Sequence, residues 1–91
     1  MTLDHLRRIA DRLDHAIARQ GDVLSSAREA GILAMSDASD FAGTLIAAQD
    51  HATAIGVAAQ AEADLRSART DVIDRIERAE LGSALSERVA A

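Results

Sequence analysis

Acid–base, metal or nucleophilic chemistry in this chain would fall chiefly to His5, His15 and His51, to its 15 carboxylates, and to serines such as Ser25, Ser26 and Ser36. Cysteine, tyrosine and tryptophan are absent. A zinc site needs three or four convergent N, S or O ligands. No two histidines stand four apart, and the nearest ligand-like spacing is Asp11 with His15, one helical turn on. The histidines therefore read as surface residues, with no metal and no cofactor. A serine nucleophile needs a base, an acid and an oxyanion hole. Long helical patterns with no glycine-rich elbow supply no such pocket, so no catalytic residue is expected and the chain reads as a non-enzyme.

Asp50-His51 is the most unusual polar pair, because it interrupts an apolar run. Either one of the two is buried in an assembly, where a polar group fixes register at a cost in stability, or both line a narrow solvent-facing strip. The second arrangement is the expectation. Ala27-Arg28-Glu29-Ala30-Gly31-Ile32 begins like a DNA-binding helix-turn-helix. That motif needs apolar residues about six and nine positions after the glycine, where this chain has Asp37 and Asp40. Phosphates would also meet an acidic middle. No nucleic-acid partner is expected.

The net charge of −5 lies in one region. Glu29, Asp37, Asp40, Asp50, Glu62 and Asp64 fall in a span with no basic residue from Glu29 to Leu65, while both ends are nearly balanced. If Glu29, Asp37, Asp40, Glu62 and Asp64 formed one acidic surface, an inhibitor that mimics nucleic acid would be an alternative function.

The elements that would carry these residues are helices. Thr2 suits a helix cap, with Asp4 in the first turn. Leu3, Leu6, Ala10, Leu13, Ile17, Leu24, Ala27, Gly31 and Ala34 then follow the 3–4 spacing of a heptad seam, with Gln20 its one polar member. Ile9, Ala16, Val23 and Ala30 lie beside it, which widens the apolar face to bundle width. The seam crosses Gly21 without losing register, so one helix over about 3–35 is expected. Residues 36–40, Ser-Asp-Ala-Ser-Asp, are a turn signal.

A second helix is expected over about 41–81, with Gly82 as a stop and a short C-terminal helix over about 83–90. Its seam reads Phe41, Leu45, Ala48, Ala52 and Ile55, then moves back one position near residue 60 to Ala58, Ala61, Leu65, Ala68, Val72, Ile76 and Ala79. Continued strictly it would bury Glu62, Arg66 and Arg69, so a change of face is expected there. Folded about residue 37 or 38, the hairpin places Leu3 opposite roughly Val72. Ile76, Leu81, Leu85 and Val89 then overhang.

Residues 41–63 hold nine alanines and only two charges, Asp50 and Glu62. Such a helix has apolar residues around most of its girth and must be covered on more than one side. Small residues at four-residue intervals, Ala52/Gly56 among them, favour close approach of helix axes. The run is too polar to span a bilayer, and Met1–Arg8 lacks a signal peptide's apolar core. The expected location is cytoplasmic, or exported without a cleavable signal.

Ser39–Ala47 resembles a stretch of bacterial flagellins, and its F-A-x-x-L recurs in small rod proteins of flagellar and type III systems. The resemblance spans nine residues of 91. It adds a chaperone or subunit of an export or filament system as a second alternative.

The reading is thus a single all-α domain over 1–91: a soluble antiparallel hairpin of two Ala-rich helices plus a short C-terminal helix, assembling as a coiled coil or helical bundle. The expected function is a self-associating structural or adaptor protein, most simply a homodimer. Self-association is assigned to Phe41, Leu45, Ala48, Ala52, Ile55, Leu65, Val72, Ile76 and Leu85. Residues 72–90 are available to a protein partner.

Overall fold

The structure, a computed structural model, describes residues 2–90. Two α-helices, α1 (Leu3–Asp37) and α2 (Phe41–Ala90), fold back on each other as an antiparallel hairpin. The result is a rod of 76 × 15 × 15 Å with a radius of gyration of 21.1 Å. A compact chain of this length would have about 12 Å.

Local chemistry sets the ends. Thr2 is extended, and its hydroxyl oxygen accepts the His5 N–H at 3.2 Å, satisfying one open donor of α1. Ala38 leaves the helix in an extended conformation. Of the turn residues, Asp40 caps α2: its carboxylate accepts the Gly43 N–H at 2.6 Å and its carbonyl accepts from Thr44.

No glycine among the described residues has a positive φ, and α1 passes through Gly21 unbroken. A Cβ on Gly21 would meet nothing within 4 Å. Gly21→Ala is therefore expected to stabilise the hairpin by about 0.5–1 kcal/mol, read as a higher urea midpoint. A lower one would show Gly21 in a contact this hairpin lacks.

Gly82 does not stop α2, and no separate C-terminal helix forms: α2 runs on to Ala90. One glycine costs a helix about 1 kcal/mol, less than breaking the ladder and nucleating a new helix.

The α1 seam lies where its spacing puts it. Leu6 and Ala10 are buried, and Leu3, Leu13, Ile17, Gln20, Leu24, Ala27 and Gly31 are half-buried; Ala34 is exposed and Met35 takes the covered place. The α2 seam does not change face. Its covered positions run Thr44, Ala48, His51, Ile55, Ala58, Glu62, Leu65, Arg69, Val72, Ile76 and Ala79, an unbroken 3–4 alternation. The large side chains at 65, 72 and 76 set this face, and a straight helix carries it upward. Leu45 and Ala52 therefore turn outward, whereas Phe41 falls on the same alternation and is exposed as the first residue of α2. Of the three charged residues a strict seam was expected to bury, Glu62 and Arg69 lie on it and Arg66 is exposed. Glu62 pairs with Arg66 at 2.9 Å, and Arg69 reaches Asp14.

Leu6, Ala10 and Ile76 form the densest packing, with Leu3, Val72 and Ile73 against them. Arg7 meets Glu80 at 3.1 Å. The Asp14–Arg69 pair, extrapolated back, sets Leu3 level with about residue 80, some two turns beyond Val72. Ile76 is thus core and no part of the overhang, which begins near Leu81.

Candidate interaction surface

The residues beside the seam divide the hairpin into two unlike broad sides. In an antiparallel pair, the flanking columns that face the same way meet on one side. One side carries Arg7, Asp14 and Arg28 of α1 with Arg66 and Glu80 of α2, interspersed with Gly21, Met35, Leu45, Ala52, Ala59 and Ile73, and the Arg7–Glu80 bond crosses it. The other carries Ile9, Ala16, Val23 and Ala30 of α1 with Ala47, Ala54, Ala61, Ala68 and Arg75 of α2. Eight of these nine positions are aliphatic, and Arg75 closes the α2 column at the open end. Near the turn this side is a shallow groove lined by Ala27, Ala30, Gly31, Ala34, Ala47 and Ala54, with Asp50 and His51 at its wall.

His51 is the seam residue that sequence reasoning misplaced. Asp50 is exposed as expected, but the imidazole of His51 lies over Gly31 and occupies the space a Cβ there would take. Its Nδ1 is buried without a hydrogen-bond partner. The signal was present as a glycine at a seam position of α1, which leaves room for a large side chain opposite. Gln20, the polar residue of the α1 seam, donates through Nε2 to the Ala58 carbonyl at 3.1 Å, where Ala58 is buried. A polar residue on each helix thus marks the register.

The residues assigned to self-association separate into two groups. Ile76 is buried, and Ala48, Ile55, Leu65 and Val72 are half-buried, all covered by α1 of the same chain. Phe41 (83% exposed), Leu45, Ala52 and Leu85 stay uncovered. The acidic residues do not form one surface. Glu62 and Asp64 point to nearly opposite sides of α2, about 200° apart, and Glu62 is the less exposed, paired member. Asp40 is held as a cap. Glu29 and Asp37 lie exposed on α1.

His15 places Nδ1 at 2.8 Å from the carbonyl oxygen of Asp11, so the Asp11–His15 spacing builds a contact to backbone. Among the described residues no group of three or more His, Asp or Glu could hold a metal ion. Among the same residues no helix is long and apolar enough to cross a membrane.

The fold defines a class, the all-helical two-helix hairpin. Compared with known proteins, the chain matches no family model, no curated protein and no solved structure.

Proposed function

We propose that this protein is a non-catalytic, self-associating helical module that acts as a structural or adaptor piece through protein–protein contacts. The observation that carries the reading is how much apolar surface one hairpin leaves open. Phe41, Val57, Leu33, Ile46 and Ile32 are all between 58% and 83% exposed. A compact monomer of this 9.6 kDa mass exposes about 5,100 Å², against 6710 Å² here. The excess is about twice the ~800 Å² that each partner buries in a standard protein–protein interface. Two hairpins making a four-helix bundle is the simplest way to cover it.

A role as chaperone or subunit of an export or filament system is the second reading. The last three turns of α2 favour it, because they run past α1 with Leu81, Leu85 and Val89 exposed. A nucleic-acid mimic has less support, since its acidic residues are scattered.

Light scattering across a dilution series tests the main reading. The expected mass is about twice that of one chain at micromolar concentration and above, falling on dilution. A single-chain mass throughout removes self-association and leaves the overhang as the working surface.

A further inference from the structure

The aliphatic stretch of the hairpin's second side, Ile9 to Ala30 on α1 and Ala47 to Ala68 on α2, has charges of opposite sign along its two edges. Three residues on from Ile9 and Ala16 come Arg12 and Arg19, which border it along α1. Three residues on from Ala47, Ala61 and Ala68 come Asp50, Asp64 and Asp71, which border it along α2. Among the described residues, Arg12, Arg19 and Asp71 take part in no ion pair, and Asp64 accepts only from Gln60.

The levels match as well. Since Asp14 meets Arg69, Arg12 stands level with about Asp71 and Arg19 with about Asp64. Within one hairpin these residues lie on opposite outer edges, apart from each other.

Two copies can lay these sides together in two symmetric ways. With the two-fold axis along the rod, α1 lies over α2 of the second copy and both turns are at one end. Arg12 then faces Asp71 of the second copy, Arg19 faces Asp64, and symmetry repeats both pairs. With the axis across the rod, α1 lies over α1 and α2 over α2. The arginine edge then meets itself and the acidic edge meets itself, a like-charge arrangement that disfavours that pairing.

The footprint is adequate. The column from Ile9 to Ala30 is about 32 Å long, and two helices side by side are about 20 Å wide. That plane of roughly 640 Å², before side-chain relief, approaches the ~800 Å² each partner buries in a stable complex.

Resting on the self-association reading above, we propose that a second copy of this chain docks on the aliphatic stretch, with the two turns together and the Arg12/Arg19 edge over the Asp71/Asp64 edge.

The chain has no cysteine, so Ser39→Cys in the turn accepts a single spin label. In the proposed pair the two labels lie within about 30 Å, a few helix spacings. With turns at opposite ends they would stand at least about 50 Å apart, the length of α1. In sedimentation equilibrium, Arg19→Asp or Asp64→Arg alone is expected to weaken pairing about tenfold, because each sets like charges together at two symmetric places. The double variant is expected to return to within about threefold of the parent. Both positions are exposed, so circular dichroism should show the hairpin intact in all variants. A long label distance, unaffected single variants, or a double variant no better than the singles would overturn this arrangement while leaving self-association standing. A single-chain mass at every concentration would remove both.

Discussion

Ile76→Ala is expected to destabilise the protein by about 2–4 kcal/mol, the lower part of the range for deleting most of a buried aliphatic side chain. Ile76 is only 9% exposed and packs with Leu6 and Ala10, the buried cluster between α1 and α2. Elsewhere along the rod most seam residues are half-buried, Ala58 being buried as well. A rod two helices thick has no interior to absorb the loss, although water at its edge relieves part of the cavity. Stability of small domains is itself only about 5–15 kcal/mol, so this one change removes a large share. Val89→Ala, on the overhang at 88% exposure, should move the urea midpoint by no more than about 0.5 kcal/mol equivalent. Equal effects at the two positions would mean that the open end is not where the hairpin is held.

The second large effect is expected at Gly31. Its missing Cβ is replaced by the His51 ring, with Nδ1, Cγ and Cε1 inside the space a methyl group needs. Gly31→Ala gains about 0.5–1 kcal/mol of helix propensity. It also forces the imidazole from its place or the helices apart, an overpacking cost of about 1–3 kcal/mol. The cost wins, and a net loss is predicted. Its sign is opposite to that of Gly21→Ala, the same substitution in open space. His51→Ala removes both the obstructing ring and a buried nitrogen without a partner. Gly31→Ala should therefore be tolerated in that background, with a coupling of at least about 1 kcal/mol in the double-mutant cycle. Additive effects would show that the ring and the glycine are not in contact.

Much of this hairpin is written locally. The seam on α1 is apolar except at Gln20 and keeps its register until Met35 replaces Ala34, so its helix and covered face follow mainly from spacing and its cap from the hydroxyl of Thr2. Asp40 differs. Ser36, Asp37, Ser39 and Asp40 were all chemically able to cap α2, and only the chain path placed Asp40 within reach of the Gly43 N–H. At Gly82 a stop signal was present and had no effect, because a helix tolerates one glycine more readily than a second nucleation.

The α2 face is where local reading had least to work with. Between residues 41 and 63 nearly every position is small or apolar, so several faces are equally plausible and the most hydrophobic, Phe41–Leu45–Ala52, attracts the assignment. Packing chose another because the face is fixed at a distance: Leu65, Val72 and Ile76 must meet Leu3, Leu6 and Ala10. A straight helix then carries that choice up to His51 and Thr44.

By itself the sequence determined an all-helical chain, one turn near residue 38, the covered face of α1, and an apolar stretch that one partner helix cannot enclose. Those properties depend on neighbours within a turn or two, or on composition. Only the tertiary structure decided which face of α2 lies inside, the seating of His51 over Gly31, and the division into a side crossed by the Arg7–Glu80 ion pair and a mainly aliphatic side. Each of these depends on the relative height and rotation of two helices, which is set by contacts between residues far apart in the chain.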